Sequence, residues 1–314
     1  NIIIETAITL KSSDFNNPAT IDGSSATGQI GSCINIREGA GSSRGTVTVE
    51  GMILTGGKGT TVKIKGADGT YDPLDPTDKI NVGGAIRSQN VNLVSKKNKI
   101  VNNGTSVNIQ EGGGTYLSDA PDIDQNDPQT PPEGNDNVSR EEIIIIFEET
   151  EFSGNQAEIG GAGVFKGGDT DSTNISLSFD HVTIANNYGG GIYASQFVPG
   201  DVITITNSIV WGNYWNGYPA PISSDSEGFS LSVTYNDIDM FIEGQGNISY
   251  DPRFVNPQEG DFTLQESSPC IDAGDPDSGW DPDGTEPDMG AYYYDQGTHF
   301  CEEGFVADCA DADC

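Results

Sequence analysis

Phe152-Ser153-Gly154-Asn155 and, a few residues on, Gly161-Ala162-Gly163-Val164-Phe165 decide the fold, because this two-part phrase returns along the chain. The turn recurs as Ile100-Val101-Asn102-Asn103, Ile184-Ala185-Asn186-Asn187 and Val210-Trp211-Gly212-Asn213, with a degenerate copy at Ile53-Leu54-Thr55-Gly56-Gly57. The glycine step recurs as Gly83-Gly84-Ala85-Ile86, Gly112-Gly113-Gly114-Thr115-Tyr116 and Gly189-Gly190-Gly191-Ile192-Tyr193. Asn tolerates the left-handed conformation and bonds its own backbone, so it turns a coil tightly. At equivalent corners of successive coils, Asn side chains can also stack into a hydrogen-bonded ladder. Gly lets the backbone bend between sheets where a side chain would clash. Between these signals, Ile175-Ser176-Leu177-Ser178-Phe179 and Val202-Ile203-Thr204-Ile205-Thr206 alternate with period two, which buries one face of each strand. Short strands on a repeated turn predict a solenoid. An antiparallel β-sandwich, the competing fold, has no reason to repeat the glycine step and the Asn corner together.

The spacing of the repeat is uneven. Asn155 and Asn187 lie 32 residues apart, Asn187 and Asn213 lie 26 apart, and Asn103 and Asn155 lie 52 apart. The longest interval is two coils or one coil carrying an insertion. Asp119 to Arg140 is rich in Asp, Pro, Gln and Asn and lacks strand periodicity, which favours the insertion. A shorter insertion is expected over about 65–79. The expected organisation is an all-β solenoid over 1–295, with a capping region over about 247–295, followed by a Cys-rich tail over 296–314.

Composition supports a thin core and a charged surface. The 314 residues include 41 Gly and only 34% hydrophobic residues, enough for one inward stripe per coil but meagre for a thick globular core. Lys and Arg number 14 against 48 Asp and Glu, a formal charge of −34. Such a field repels nucleic acid and anionic membranes and suits a secreted protein in salty or calcium-containing water. No stretch approaches the roughly 20 apolar residues of a membrane helix. The chain opens in a strand pattern, Ile2-Ile3-Ile4, and reads as a mature chain whose leader is gone. Cys33 and Cys270 read as packed hydrophobes, whereas Cys301, Cys309 and Cys314 read as the start of a disulfide-stapled module of open connectivity. Zinc is the weaker reading of that trio, for want of a CxxC pair or a second nearby His.

The repeats resemble those of the right-handed parallel β-helix superfamily that contains pectate-lyase-like and polymorphic-outer-membrane-protein-like domains. Ser268-Pro269-Cys270-Ile271-Asp272-Ala273-Gly274-Asp275, followed by Asp281-Pro282-Asp283-Gly284-Thr285-Glu286-Pro287-Asp288-Met289-Gly290-Ala291-Tyr292, is more specific. It resembles the C-terminal signature of secreted bacterial β-helix repeat proteins. Asn236-Asp237-Ile238 through Asp251-Pro252-Arg253-Phe254 matches the strand and turn that precede the signature in that group. The resemblance implies an extracellular or cell-surface location and a right-handed solenoid. It implies little about activity.

Carbohydrate-active enzymes are common on this fold. The polygalacturonase-like motifs Asn-Thr-Asp, Asp-Asp, Gly-His-Gly and Arg-Ile-Lys are missing, so no catalytic residue is assigned. His181 reads as an outward strand residue. Lys96, Lys97 and Lys99, the one basic cluster, read as a solvated turn. Asp281, Asp283 and Asp288, with Asp275 and Asp277 just before them, place carboxylates around a Gly turn as acidic calcium loops do, so Ca²⁺ is the expected cofactor. The distal Glu of an EF-type loop is absent, and a rigid water-facing turn is the alternative. Trp211, Tyr214, Trp215 and Tyr218 crowd one coil; exposed, they would contact a glycan or a protein, and buried, they would plug the solenoid end. Asn103, Asn137, Asn174 and Asn247 begin Asn-X-Ser/Thr sequons, a number an Asn-rich chain reaches by chance. The leading expectation is a non-catalytic extracellular structural or adhesive protein. Its expected partners are other copies of itself, other cell-surface proteins or a polysaccharide. A calcium-dependent polysaccharide lyase or hydrolase and a glycan-binding module are the alternatives.

Overall fold

A computed structural model describes residues 2–26, 30–37, 45–63, 79–105, 109–118, 142–167, 174–297, 299–301 and 304–306. Three parallel sheets of seven strands each wind around one axis, and each turn of the chain contributes one strand to every sheet. Coil 1 is built from Ile2–Ile4, Ile8–Lys11 and Ala19–Asp22, and coil 2 from Ile34–Arg37, Thr46–Glu50 and Met52–Thr55. Coil 3 follows with Ile86–Gln89, Asn92–Lys96 and Lys99–Val101, and coil 4 with Thr115–Ser118, Ile143–Glu148 and Glu151–Ser153. Coils 5 and 6 comprise Gly163–Lys166, Ile175–Asp180 and Thr183–Ala185, then Ile192–Ser195, Val202–Thr206 and Ile209–Trp211. Coil 7 closes the stack with Ile222–Ser224, Ser230–Thr234 and Asp237–Ile238. We number the sheets 1, 2 and 3 in the order the chain meets them. The fold is a parallel β-helix. Among the described residues no helix is long and apolar enough to cross a membrane.

The 52-residue interval is one coil. Lys99–Val101 pairs directly with Glu151–Ser153 in parallel, so no coil intervenes. The extra residues therefore fall between Ser118 and Ile143, within coil 4. The expected insertions over 65–79 and 119–140 lie almost wholly outside the described residues, as do Cys309, Cys314 and the side chain of Cys301.

Period-two alternation becomes burial. Along Ile175–Asp180 the inward Ile175, Leu177 and Phe179 are buried while Ser176 and Ser178 are partly open. Phe147 and Phe179 hold the same place in adjacent coils and stack at 5.2 Å between ring centres, with Phe152 edge-on to Phe147 at 5.1 Å. In this narrow core, alanine at Phe147 would cost about 3–5 kcal/mol.

The turn phrase divides labour between its last two residues. The first is left-handed: φ is 55° at Asn102, 62° at Gly154, 55° at Asn186 and 68° at Gly212. That requirement explains why only Asn and Gly alternate there. The second residue is the buried ladder. Asn103 Nδ2 donates to Asn155 Oδ1 at 2.9 Å, Asn155 Nδ2 to Asn187 Oδ1 at 3.0 Å, and Asn187 Nδ2 to Asn213 Oδ1 at 2.8 Å. The sequon Asn103 is thus a core residue. Glycine in the following step answers a close approach: a Cβ on Gly84 would sit 2.0 Å from the Gly113 carbonyl oxygen.

A second corner, between sheets 2 and 3, uses mixed chemistry. Its left-handed residue is Gly51, Lys97, Glu149, His181, Asn207 or Tyr235 in coils 2 to 7. His181, expected on a strand, occupies this corner with φ 49° because the strand ends at Asp180. Its Nδ1 lies 3.1 Å from Asp180 Oδ1. Lys97 and Lys99 reach Glu149 and Glu151 on the next coil at 3.4 and 3.3 Å, and Lys96 reaches Glu148, so this basic cluster is paired.

Ile248 still pairs in parallel with Asp237 of coil 7, but residues 251–297 do not wind. They include an antiparallel pair, Phe254–Asn256 with Asp261–Leu264, and they lie along the outer face of sheet 3. Phe254, Phe262, Leu264, Cys270 and Met289 pack there on Ala185 and Ile209, with Trp211 partly buried among them. The expected capping region over about 247–295 thus divides: Asn247 and Ile248 bond Asn236 at the end of coil 7, and the rest lies as a flank. The end itself is crossed by the 239–247 segment, where Ile242 packs against the main core.

Candidate functional site

Past each ladder Asn, the chain crosses from sheet 3 to sheet 1 on the outer wall. In coils 5 and 6 the next residue is Tyr188 or Tyr214, and parallel bridges join Gln156 to Tyr188 and Tyr188 to Tyr214. Coil 6 then makes a two-residue hairpin: Tyr214–Trp215 pairs antiparallel with Tyr218–Pro219 around Asn216-Gly217. Asn216 and Gly217 have φ of 50° and 82°, the doubly left-handed turn for which Asn-Gly is the preferred pair. Trp215 and Tyr218 are cross-strand partners on this projecting finger.

The result is an exposed aromatic ridge. Tyr188 is 57% exposed, Tyr214 46%, Trp215 43% and Tyr218 75%. Beside it opens a cleft of about 480 Å³ lined by Gly104, Ile109, Gln156, Ala157, Glu158, Ile159, Tyr188, Trp215 and Asn216. Of the four aromatics expected together, Trp211 is split off, because it points into the flanking C-terminal packing. The residues before the finger were not legible as a site: Ile109, Gln156, Glu158 and Ile159 look like ordinary turn and wall positions. The usable signal was Asn187-Tyr188 and Asn213-Tyr214, the same aromatic following the same ladder residue.

Behind the cleft, Ile159 packs with Val82, Tyr116 and Val164 on the outer face of sheet 1. Glu111 borders this packing. Burial pushes its carboxyl above the usual range, against the pull of Lys166 and with a further push from Asp225.

The acidic C-terminal turn is ordered by its own backbone. Asp288 is buried; its Oδ1 accepts Asp272 N–H at 2.7 Å and its Oδ2 accepts Tyr294 N–H at 2.6 Å. Asp283, also buried, accepts Thr285 Oγ1 at 2.8 Å on Oδ1 and Gln296 N–H at 2.8 Å on Oδ2. Asp281 Oδ2 accepts Asp288 N–H at 2.9 Å, and Asp275 Oδ1 accepts Asp277 N–H at 3.0 Å. Asp277 itself is exposed. Among the described residues no three His, Cys, Asp or Glu side chains converge as a metal site requires. Burial drives the Asp288 carboxyl up to about 6 despite its two N–H donors. Burial also pushes Asp283 upward, but the N–H of Gln296 and the Thr285 donors outweigh it and hold that carboxyl below the usual range.

No protein-family model matches this chain, and no curated protein matches it with significance.

Proposed function

We propose that this β-helix is a non-catalytic extracellular adhesive protein that grips its partner with the aromatic ridge and the adjoining cleft. One observation carries the reading. Four large aromatic side chains, on a finger and wall whose backbone is fixed by hydrogen bonds between coils, stand open to solvent beside a cleft. Rigid aromatic surface at low entropic cost is what recognition sites use. Exposing this much apolar area without a partner would be a liability. Among the described residues Glu158 is the one carboxylate lining the cleft, whereas glycosidic hydrolysis uses a pair. The acidic surface and the resemblance of the C-terminal signature to secreted repeat proteins support the location.

Beads coated with the purified chain, incubated on a glycan array and on polysaccharide films, test this. Trp215→Ala with Tyr218→Ala should abolish retention while leaving the melting temperature unchanged, since both side chains project from a finger. Undiminished retention would overturn the assignment of the ridge. New reducing ends or unsaturated products from alginate, pectate or chondroitin with calcium would overturn the non-catalytic reading.

A further inference from the structure

Resting on that adhesive reading, we infer that the cleft holds an extended, uncharged polysaccharide lying along the solenoid axis. Direction comes from the wall. Gly104 and Ile109 follow the coil 3 ladder residue, Gln156 to Ile159 follow that of coil 4, Tyr188 that of coil 5, and Trp215 and Asn216 that of coil 6. The lining therefore crosses four stacked coils. At about 4.8 Å between parallel strands it runs roughly 14 Å along the axis, too long for one sugar ring to fill.

Chemistry comes from the side chains. Trp215 and Tyr188 offer ring surface for the apolar face of a pyranose, and Ile159, backed by the buried Ile109, continues the apolar floor. Gln156 and Asn216 carry amides, which both donate and accept and so match hydroxyl groups. Among the described lining residues there is no Lys, Arg or His, and Glu158 is present. A uronate or sulfated chain would set its anions against Glu158 within a molecule of formal charge −34. A strand-like peptide fares poorly for a different reason. The backbone here is spent between coils: Gln156 N–H bonds Asn103 O at 2.9 Å, Ala157 N–H bonds Tyr188 O at 3.0 Å, and Tyr188 N–H bonds Asn155 O at 2.9 Å. Among the described residues no sheet edge is left for a peptide to join at that wall.

Calorimetric titration in chelator at physiological salt decides it. The probes are gluco-, xylo- and manno-oligosaccharides of increasing length against oligogalacturonate, oligoguluronate and a Lys-containing peptide. At least one neutral series should bind, tightening with length, with the monosaccharide inactive and the acidic chains and peptide weaker. Trp215→Ala should weaken binding roughly tenfold, Trp215→Phe should weaken it less, and Glu158→Gln should narrow the gap between neutral and acidic chains. Tighter binding of a uronate or the peptide, or no gain with length, overturns this inference and leaves an aromatic adhesive site standing. No retention on array or films and no heat with any probe removes the adhesive reading itself.

Discussion

Asn155 is bonded on every side of its amide. Its Nδ2 donates to Ile100 O at 2.8 Å and to Asn187 Oδ1 at 3.0 Å, while its Oδ1 accepts Asn103 N–H at 3.1 Å and Asn103 Nδ2 at 2.9 Å. It is fully buried, so water cannot replace these partners. Asn155→Ala would take the side-chain partner from the Asn103 backbone N–H and from the Ile100 carbonyl, both buried in the ladder. The expected loss is about 3 kcal/mol or more, read as a lower urea midpoint at unchanged slope. Asn102→Gly, one coil earlier and one residue before its ladder Asn, should be tolerated, because that position asks only for a left-handed backbone. Residues that look alike in the sequence thus carry different loads.

At the scale of elements, the C-terminal turn separates two accounts of the same carboxylates. As hydrogen-bond staples, Asp283 and Asp288 order a segment that has almost no sheet of its own. Asp288→Asn would turn an acceptor into a donor facing an N–H and should cost about 1–3 kcal/mol equally with and without chelator. As calcium ligands, which we keep as a proposal for this turn, they would make the unmutated chain lose melting temperature on chelation alone. Differential scanning calorimetry of both proteins in calcium and in chelator distinguishes the two. The solenoid was legible because its turn, glycine step and alternation recur, and each copy reports on the others. The ladder Asn residues were legible for the same reason. The second corner was not, because six different residues fill its left-handed position and the polar residues buried after it vary, as Asn98, Thr150, Ser208 and Asn236 do. The aromatic finger was half legible. The four aromatics stood out, but the Asn216-Gly217 turn that pairs Trp215 with Tyr218, and the C-terminal flank that takes Trp211 away from them, emerged only from the fold.

Over the whole molecule, pH sets the balance among buried acids. Burial raises Asp237 and Asp288 to about 6, so their ionised forms cost stability that returns on protonation. As pH falls from about 7.5 to about 5, the melting temperature should rise. Below the ordinary value of 3.8 it should drop again, as Asp180 and Asp283, held low by their donors, lose their charge. Replacing Asp237 and Asp288 together with Asn should flatten the rise. The flank along sheet 3 has a mechanical consequence. Its Cys270 Sγ bonds Asp237 of coil 7 at 3.2 Å, its Gly290 N–H bonds Asn207 of the second corner in coil 6 at 2.7 Å, its Ala291 N–H bonds Thr183 of coil 5 at 2.9 Å, and its Tyr292 hydroxyl bonds Glu151 of coil 4. A bare solenoid under tension sheds coils singly, since each holds only its neighbours. Stretched in an optical trap, coils 1 to 3 should peel away in separate small steps, whereas coils 4 to 7, strapped by one segment, should let go in a single larger rip.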